Sequence, residues 1–251
     1  MEYGNLRLLK FIRGENILIL RSTTGLPAVV VSCALICSLF VPTVSHAQAI
    51  PIINSGFELP SMVSVGDSSD NVLNGWLGDS AFARTFGAYY VPASAYNSTP
   101  AAPEGLQIAY VNNGTSIAQN TGVALVSNTT YTLSALVGRN NGSGNSAGQA
   151  LLFQGGTIVN GEVTGGTLLG SSSPVMFGGQ FSQAQIVFST GVSVSSSGNL
   201  IIQLKSLASD QVNFDNVSLF RTSAVPEPGG FALLAGSGTI GTLLLSRKRR
   251  K

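Results

Sequence analysis

The stretch TYTLSALVG, residues 130–138, decides the fold class. In an extended chain its side chains at Tyr131, Leu133, Ala135 and Val137 all point to one face, which is the period of two expected for a half-buried strand. Similar short apolar runs occur at 106–111, 150–153, 181–188, 200–207 and 211–220. Turn-forming Gly, Ser, Asn and Thr recur between them about every 8–12 residues, as in β-sandwiches. The middle of the chain is therefore predicted to be all-β, a sandwich or jelly roll.

The last predicted strand, QVNFDNVSLF at residues 211–220, carries a less regular pattern. Val212, Phe214 and Asn216 share one face, and Leu219 joins them only if the alternation slips by one position. We therefore expect an inward-facing set of Val212, Phe214, Asn216 and, after the slip, Leu219.

The charge distribution excludes one class of partner. Only 10% of the residues are charged, although 44% are hydrophobic. Residues 50–223 contain four basic and eight acidic side chains, a net charge of −4. A domain that is acidic and poor in lysine has little attraction for a phosphate backbone, so we expect no nucleic-acid partner.

The N-terminus has the organisation of a secretory signal peptide. Basic residues precede an apolar run at 26–41, and Ala47-Gln48-Ala49 fits the small-residue cleavage pattern for signal peptidase. We predict a signal peptide over 1–49 with a cut after Ala49, or after Ala47; a retained N-terminal anchor is the alternative. Both cysteines and the only histidine, His46, precede the cut, so cleavage would remove disulfides and His- or Cys-based sites.

The C-terminus carries a second membrane signal. Residues Phe231 to Leu245 contain no charge, and a helix spanning about 229–246 would lie across part of the inner membrane. The segment ends in five basic residues, which would stay cytoplasmic and leave the preceding domain outside: Arg247, Lys248, Arg249, Arg250 and Lys251.

The order of these C-terminal features resembles the PEP-CTERM sorting signal of Gram-negative bacteria. The motif consists of Val225, Pro226, Glu227 and Pro228, followed by the apolar segment and the basic end over residues 224–251. The resemblance implies recognition by an exosortase, a transient stay in the inner membrane and release to the cell surface or medium, together with exopolysaccharide and biofilm-matrix systems. A simple C-terminal anchor is the alternative.

The middle domain, residues 50–223, also resembles a known family. It opens with SGFELP at 55–60, contains NGWLG at 74–78 and closes with VNFDNVSLF at 212–220. This order is similar to that of the galactose-binding-like jelly rolls, especially cenC-type carbohydrate-binding modules. The resemblance implies a jelly-roll β-sandwich between an N-terminal signal helix and a C-terminal hydrophobic helix. It also implies that Glu58 and Asp215 meet and bind a structural Ca²⁺; the alternative is that they only hydrogen-bond strand ends.

Sugar binding needs exposed aromatic faces. Trp76, Tyr89 and Tyr90 are the predicted carbohydrate-binding residues. Further candidates are Tyr96 and Tyr110 for aromatic faces and Gln107, Asn112, Asn113 and Arg139 for polar contacts. A single tryptophan in a β-sandwich is also a common core residue, whereas a Tyr-Tyr pair in a strand exposes one ring.

Three classes of function remain after these exclusions. The expected function is a non-catalytic module that binds extracellular polysaccharide, with a structural biofilm-matrix protein as the alternative. A glycoside hydrolase would need two carboxylates at a fixed separation, and no motif places two of Glu58, Glu104 and Glu162 together. We therefore expect no enzymatic activity.

Overall fold

The computed structural model describes residues 46–92, 99–139, 147–176, 180–194, 198–207 and 209–223. The predicted sorting segment lies outside these residues, as does the predicted signal peptide up to residue 45. Within the described ranges, no helix has the length and hydrophobicity needed to cross a membrane.

The described residues form fifteen strands. Their bounds are β1 Ala47–Ile50, β2 Ser68–Asp70, β3 Leu77–Gly78, β4 Phe86–Tyr90, β5 Gln107–Val111, β6 Ser116–Ala124, β7 Thr129–Arg139, β8 Ala147–Gln154, β9 Thr157–Val159, β10 Glu162–Thr164, β11 Thr167–Ser171, β12 Val175–Met176, β13 Ser182–Ser189, β14 Asn199–Ser206 and β15 Val212–Ser223.

These strands pair antiparallel in two large sheets and one hairpin. The first sheet has the order β13-β7-β15-β5-β4-β2, with β1 beside β15, and the second has the order β11-β8-β14-β6-β3, with β12 beside β8. Strands β9 and β10 form the hairpin. Both large sheets supply fully buried side chains to one core, among them Leu133 and Phe214 from the first and Leu152 and Leu204 from the second. The described residues form an all-β jelly-roll sandwich, and the prediction of this fold class is confirmed. The two predicted terminal helices lie outside these residues.

The period-two pattern of the opening stretch is present in β7. Tyr131, Leu133, Ala135 and Val137 are all at most 1% exposed and belong to the core. Buried apolar side chains on one face of a strand stabilise the sheet through the area that they remove from water.

The irregular pattern of the last strand reflects a β-bulge. The register of β15 against β7 shifts between Asp215 and Ser218, and Asn216 has a positive φ of 47°. Val212 and Phe214 point into the core before the shift, and Val217 and Leu219 do so after it. The predicted slip is therefore real, but Asn216 is exposed, because the extra residue of a bulge leaves the alternation.

Strand β1 bears on the predicted start of the domain. Ala47, Gln48, Ala49 and Ile50 pair with Thr222 to Leu219 of β15, and Arg221 donates two hydrogen bonds to the Gln48 side chain. A cut after Ala49 would leave Ile50 alone in this strand, whereas a cut after Ala47 would keep the Gln48 contact.

Candidate functional site

A row of five residues crosses the outer face of the first sheet. Asp70 lies opposite Gly87, Gly87 opposite Tyr110, Tyr110 opposite Asn213, and Asn213 opposite Gly138. Directly opposed residues of antiparallel strands share a face. Side chains next to this row in the chain, such as those on either side of Tyr110, belong to the core. The row therefore faces away from the core, across β2, β4, β5, β15 and β7.

Gly87 leaves room for a contact across this row. A Cβ atom at Gly87 would lie 1.7 Å from the carbonyl oxygen of Ser69 and 2.8 Å from the hydroxyl of Tyr110. Because glycine has no Cβ, the Tyr110 side chain passes over it and donates a hydrogen bond of 2.8 Å to Asp70 Oδ1. Because Gly87 has no side chain, a side chain of β5 can reach over β4 and hydrogen-bond to β2.

Arg84 completes a charged group around Asp70. Its Nε donates to Asp70 Oδ2 at 3.2 Å, and its backbone has a positive φ of 60°. The Asn112 side chain donates to the Arg84 carbonyl oxygen at 2.7 Å and supports this conformation. Positive φ values in residues other than glycine are uncommon and occur often at functional sites.

Asp70 and Tyr110 differ in protonation state at neutral pH. The hydrogen bond from Tyr110 holds the pKa of Asp70 below its usual value, and Arg84 adds to this effect. Burial raises the pKa of the Tyr110 hydroxyl above its usual value, and the neighbouring Asp70 carboxylate raises it further. The site therefore presents a carboxylate anion beside a phenol that keeps its proton.

These side chains line a pocket of about 350 Å³. That volume is within the usual range for small-molecule sites, roughly 300–1,000 Å³. Its lining combines two aromatic rings with mostly polar groups: Gly66, Ser68, Asp70, Arg84, Tyr89, Tyr110, Asn112 and Gln211.

The predicted sugar-binding aromatics do not share one surface. Trp76 is 3% exposed, packs in the core against Phe57 with ring centroids 5.4 Å apart, and donates from Nε1 to the Asn54 carbonyl oxygen. It has no face free for a sugar and is a core residue. Tyr89 lines the pocket, whereas the half-buried Tyr90 is not part of the lining.

Of the further candidates from the sequence, Tyr110 and Asn112 line the pocket, whereas Gln107 and Asn113 are not part of its lining. Tyr96 lies outside the described residues. Sequence reasoning missed Asp70, Arg84 and Gln211, because no motif marks them and each comes from a different segment. The one feature of the sequence that distinguishes Asp70 and Arg84 is that they are an acidic and a basic side chain in a region with few charges.

Glu58 and Asp215 bind the same loop, 104–107. Glu58 Oε1 accepts hydrogen bonds of 2.9 Å from the backbone N–H groups of Leu106 and Gln107, and Asp215 Oδ2 accepts one of 2.8 Å from that of Glu104. The pKa of Asp215 is raised to about 7, mainly by burial and also by the charges of Glu104 and Glu58, against the lowering effect of its two backbone hydrogen bonds.

The donor atoms around this pair do not form a recognisable metal shell. Among the residues that the structure describes, no group of three or more acidic, His or Cys side chains is placed to hold a metal ion. Both oxygens of Asp215 already accept a backbone N–H, since Oδ1 bonds Asn216. Calcium binding at Glu58 and Asp215 therefore stays a prediction.

The third candidate carboxylate for glycoside hydrolysis, Glu162, belongs to a separate network. Burial opposes its ionisation, but hydrogen bonds from Lys205 and Gln203 hold the pKa of Glu162 below its usual value. Lys205 Nζ lies 2.8 Å from Glu162 Oε1, and Gln203 Nε2 lies 2.7 Å from Oε2. These contacts attach the β9–β10 hairpin to the second sheet.

Solved structures with this fold include cyclases. A cyclase from Fischerella sp. TAU is 26% identical to this chain, with a TM-score of 0.58, and the match covers 72% of this chain and all of that one. A second structure, a cyclase from the same organism in complex with 4-(1H-indol-3-yl)butan-2-one, is 24% identical with a TM-score of 0.56 and covers 71% of this chain and all of that one. No curated protein sequence matches this chain.

Carbohydrate-binding modules are more distant neighbours. The xylan-binding domain of a Paenibacillus barcinonensis protein is 13% identical with a TM-score of 0.38, and the match covers 65% of this chain and all of that one. At that TM-score the likeness establishes neither a shared site nor a shared ligand.

The family model described as HpiC1-like, HpiC1 cyclase, matches residues 48–220 and so includes every strand that contributes to the pocket. Cyclases are enzymes, so the expectation that this protein is not an enzyme is wrong. The sequence misled because no catalytic motif with a fixed local spacing is present, and the pocket side chains come from separate strands. This chain belongs to the HpiC1-like cyclase family.

Proposed function

We propose that this protein is a cyclase that binds a small aromatic substrate in the Asp70–Tyr110 pocket. The observation that carries the proposal is the match of the cyclase family model over residues 48–220, the part of the chain that builds the pocket. Ring closure within one molecule requires a folded substrate and stabilisation of the charge that develops, and a preorganised pocket supplies both.

The side chains of the pocket suit an aromatic ring that carries an N–H donor. The half-buried Tyr89 places an aromatic ring in the lining, and the Asp70 carboxylate can accept the N–H and stabilise positive charge that develops on the substrate's ring. The Tyr110 hydroxyl, which keeps its proton, holds Asp70 in place. The indole compound in a related cyclase structure has such an N–H, which supports an indole as the substrate class.

Binding of 4-(1H-indol-3-yl)butan-2-one to the full chain in detergent tests the proposed site. We expect Asp70→Asn to weaken binding by about ten-fold or more, because hydrogen bonds to a charged group contribute roughly 1.5–3 kcal/mol. Tyr110→Phe should weaken it less, since the carboxylate remains. Tyr90→Phe is the matched control, because Tyr90 neighbours Tyr89 in β4 but does not line the pocket.

Turnover is tested with open-chain alkenyl indoles, by chromatography and mass spectrometry. The expected product has the same mass as its precursor and a different retention time, because ring closure by isomerisation loses no atoms. No binding of the indole, or equal binding by the parent and Asp70→Asn, would contradict the proposed site.

A glycan is the second candidate ligand for this pocket. The polar lining, with Ser68, Asn112 and Gln211 beside Tyr89, favours it because these groups suit sugar hydroxyls. Retention of the parent on the producer's own polysaccharide, lost in Tyr89→Ala and kept in Tyr90→Ala, would support glycan binding.

We also propose that the domain acts outside the inner membrane, at the cell surface or in the medium. The supporting features are the Ala47-Gln48-Ala49 pattern and the Pro226-Glu227-Pro228 motif before an apolar segment and a basic end. These features imply signal peptidase and an exosortase as partners. The domain would then act among exopolysaccharide or in a biofilm matrix.

A further inference from the structure

Asn213 carries a buried amide group that is not fully hydrogen-bonded. The residue is 0% exposed, and its Oδ1 accepts a hydrogen bond of 2.7 Å from Gln211 Nε2. Its Nδ2 has no hydrogen-bond partner among the described residues. A buried polar group without a partner costs roughly 1–3 kcal/mol, and native structures contain few of them.

The position of Asn213 connects this amide to the pocket. Asn213 lies directly opposite Tyr110 on β5, and its hydrogen-bond partner Gln211 belongs to the pocket lining. On its other side it faces Gly138, which has no side chain, and a Cβ there would lie 2.8 Å from the ring of Phe181. Asn213 is not itself part of the pocket lining, but two lining residues adjoin it: Tyr110, which lies opposite it, and Gln211, which donates a hydrogen bond to it.

We propose that Asn213 binds an uncharged hydrogen-bond acceptor, such as a carbonyl or ether oxygen, of the substrate. This proposal rests on the proposed function, because it concerns a ligand of the same pocket. A ligand reaches Asn213 by displacing the Gln211 side chain and gives Nδ2 the partner that it lacks. Nδ2 is a hydrogen-bond donor, so it pairs with an oxygen acceptor and not with an ammonium group, which has no acceptor atom.

The two ends of the row thus recognise opposite groups. Asp70 accepts a hydrogen bond and Asn213 donates one, with the Tyr110 ring between them. The substrate class that fits is a small aromatic molecule with an N–H donor at one end and a neutral acceptor at the other.

A pair of probes that differ only in the acceptor tests this assignment. The full chain in detergent is titrated with 4-(1H-indol-3-yl)butan-2-one and with 3-butylindole, in which a methylene replaces the ketone. We expect the parent to bind the ketone about ten-fold more tightly. Asn213→Leu should bind both probes equally, with the affinity for 3-butylindole kept or raised. Gln185→Leu on β13, an exposed amide outside the pocket lining, should keep the parent's preference.

Asn213→Asp keeps the test decisive if the leucine variant does not fold. It preserves an oxygen that can accept from Gln211 and replaces the amide donor with an acceptor, so it should lose the preference for the ketone. Equal binding of the two probes by the parent would overturn the role of Asn213 while leaving the indole pocket intact. A preference that survives in Asn213→Asp would do the same. Failure of the parent to bind either probe would overturn both the proposed indole site and this assignment.

Discussion

Lowering the pH from about 8 to about 5 should stabilise the metal-free domain, because Asp215 is buried and its pKa is raised to about 7. Burial is the largest cause of this shift, and the charges of Glu104 and Glu58 add to it. In the unfolded chain an aspartate titrates near its usual value of about 3.9. Between these two values the native protein binds a proton that the unfolded chain does not, so the free energy of unfolding falls as the pH rises.

The size of the effect follows from the separation of the two pKa values. About three units at roughly 1.4 kcal/mol each give about 4 kcal/mol, fully present below the unfolded pKa and lost as the pH rises through the folded pKa. Roughly 3 kcal/mol of this lies between pH 5 and 8. For a domain of this size that corresponds to a rise in melting temperature of roughly 6–12 °C.

The assay is the melting temperature of the full chain in detergent and a chelator, measured by circular dichroism from about pH 8 to about pH 5. Asp70 and Glu162 have lowered pKa values, so the stability that they contribute is lost only below this window. Asp215→Asn should remove the part of the pH dependence of the melting temperature that comes from Asp215. A parent protein whose melting temperature stays level or falls toward pH 5, or an Asp215→Asn variant with the parent's slope, would refute the reasoning.

Three further predictions follow from the same contacts and from the sequence. Gly87→Ala should lower the melting temperature and weaken indole binding, because the new Cβ would overlap Ser69 and the Tyr110 hydroxyl, whereas Gly191→Ala, with open space around its Cβ, should change neither measurement. Ca²⁺ at about 100 times its dissociation constant should stabilise chelator-treated protein at about pH 8 by roughly 2.7 kcal/mol, and Glu58→Gln should abolish this; an unchanged melting curve would exclude the ion. Intact-mass analysis of exported protein should find neither the N-terminal leader nor the basic C-terminal end, and finding RKRRK on it would contradict the sorting signal.

Local patterns gave most of the strands but not the residues of the pocket. The alternation at 131–137 predicts β7, and the apolar run at 200–207 predicts β14. Both predictions are possible because the inward face of a strand is set by the side chains of adjacent residues. The bulge at Asn216 was visible as a slip in the alternation, yet which residue leaves the strand depends on pairing with β7. The sequence alone does not show whether Trp76 is buried or exposed, because a tryptophan that follows a turn can adopt either arrangement. The contact with Phe57 shows that it is buried.

The sequence by itself determined the all-β class, because alternation and turns are properties of adjacent residues. Its two ends also predict export and sorting, which no described residue tests. Only the tertiary structure decided the site, since Asp70 and Tyr110 lie forty residues apart in the chain and meet through the pairing of β2, β4 and β5. That pairing depends on hydrogen bonds between distant backbone segments, and these cannot be read from adjacent residues. Gly87 is visible in the sequence, but that it lies between Ser69 and Tyr110 is shown only by the fold.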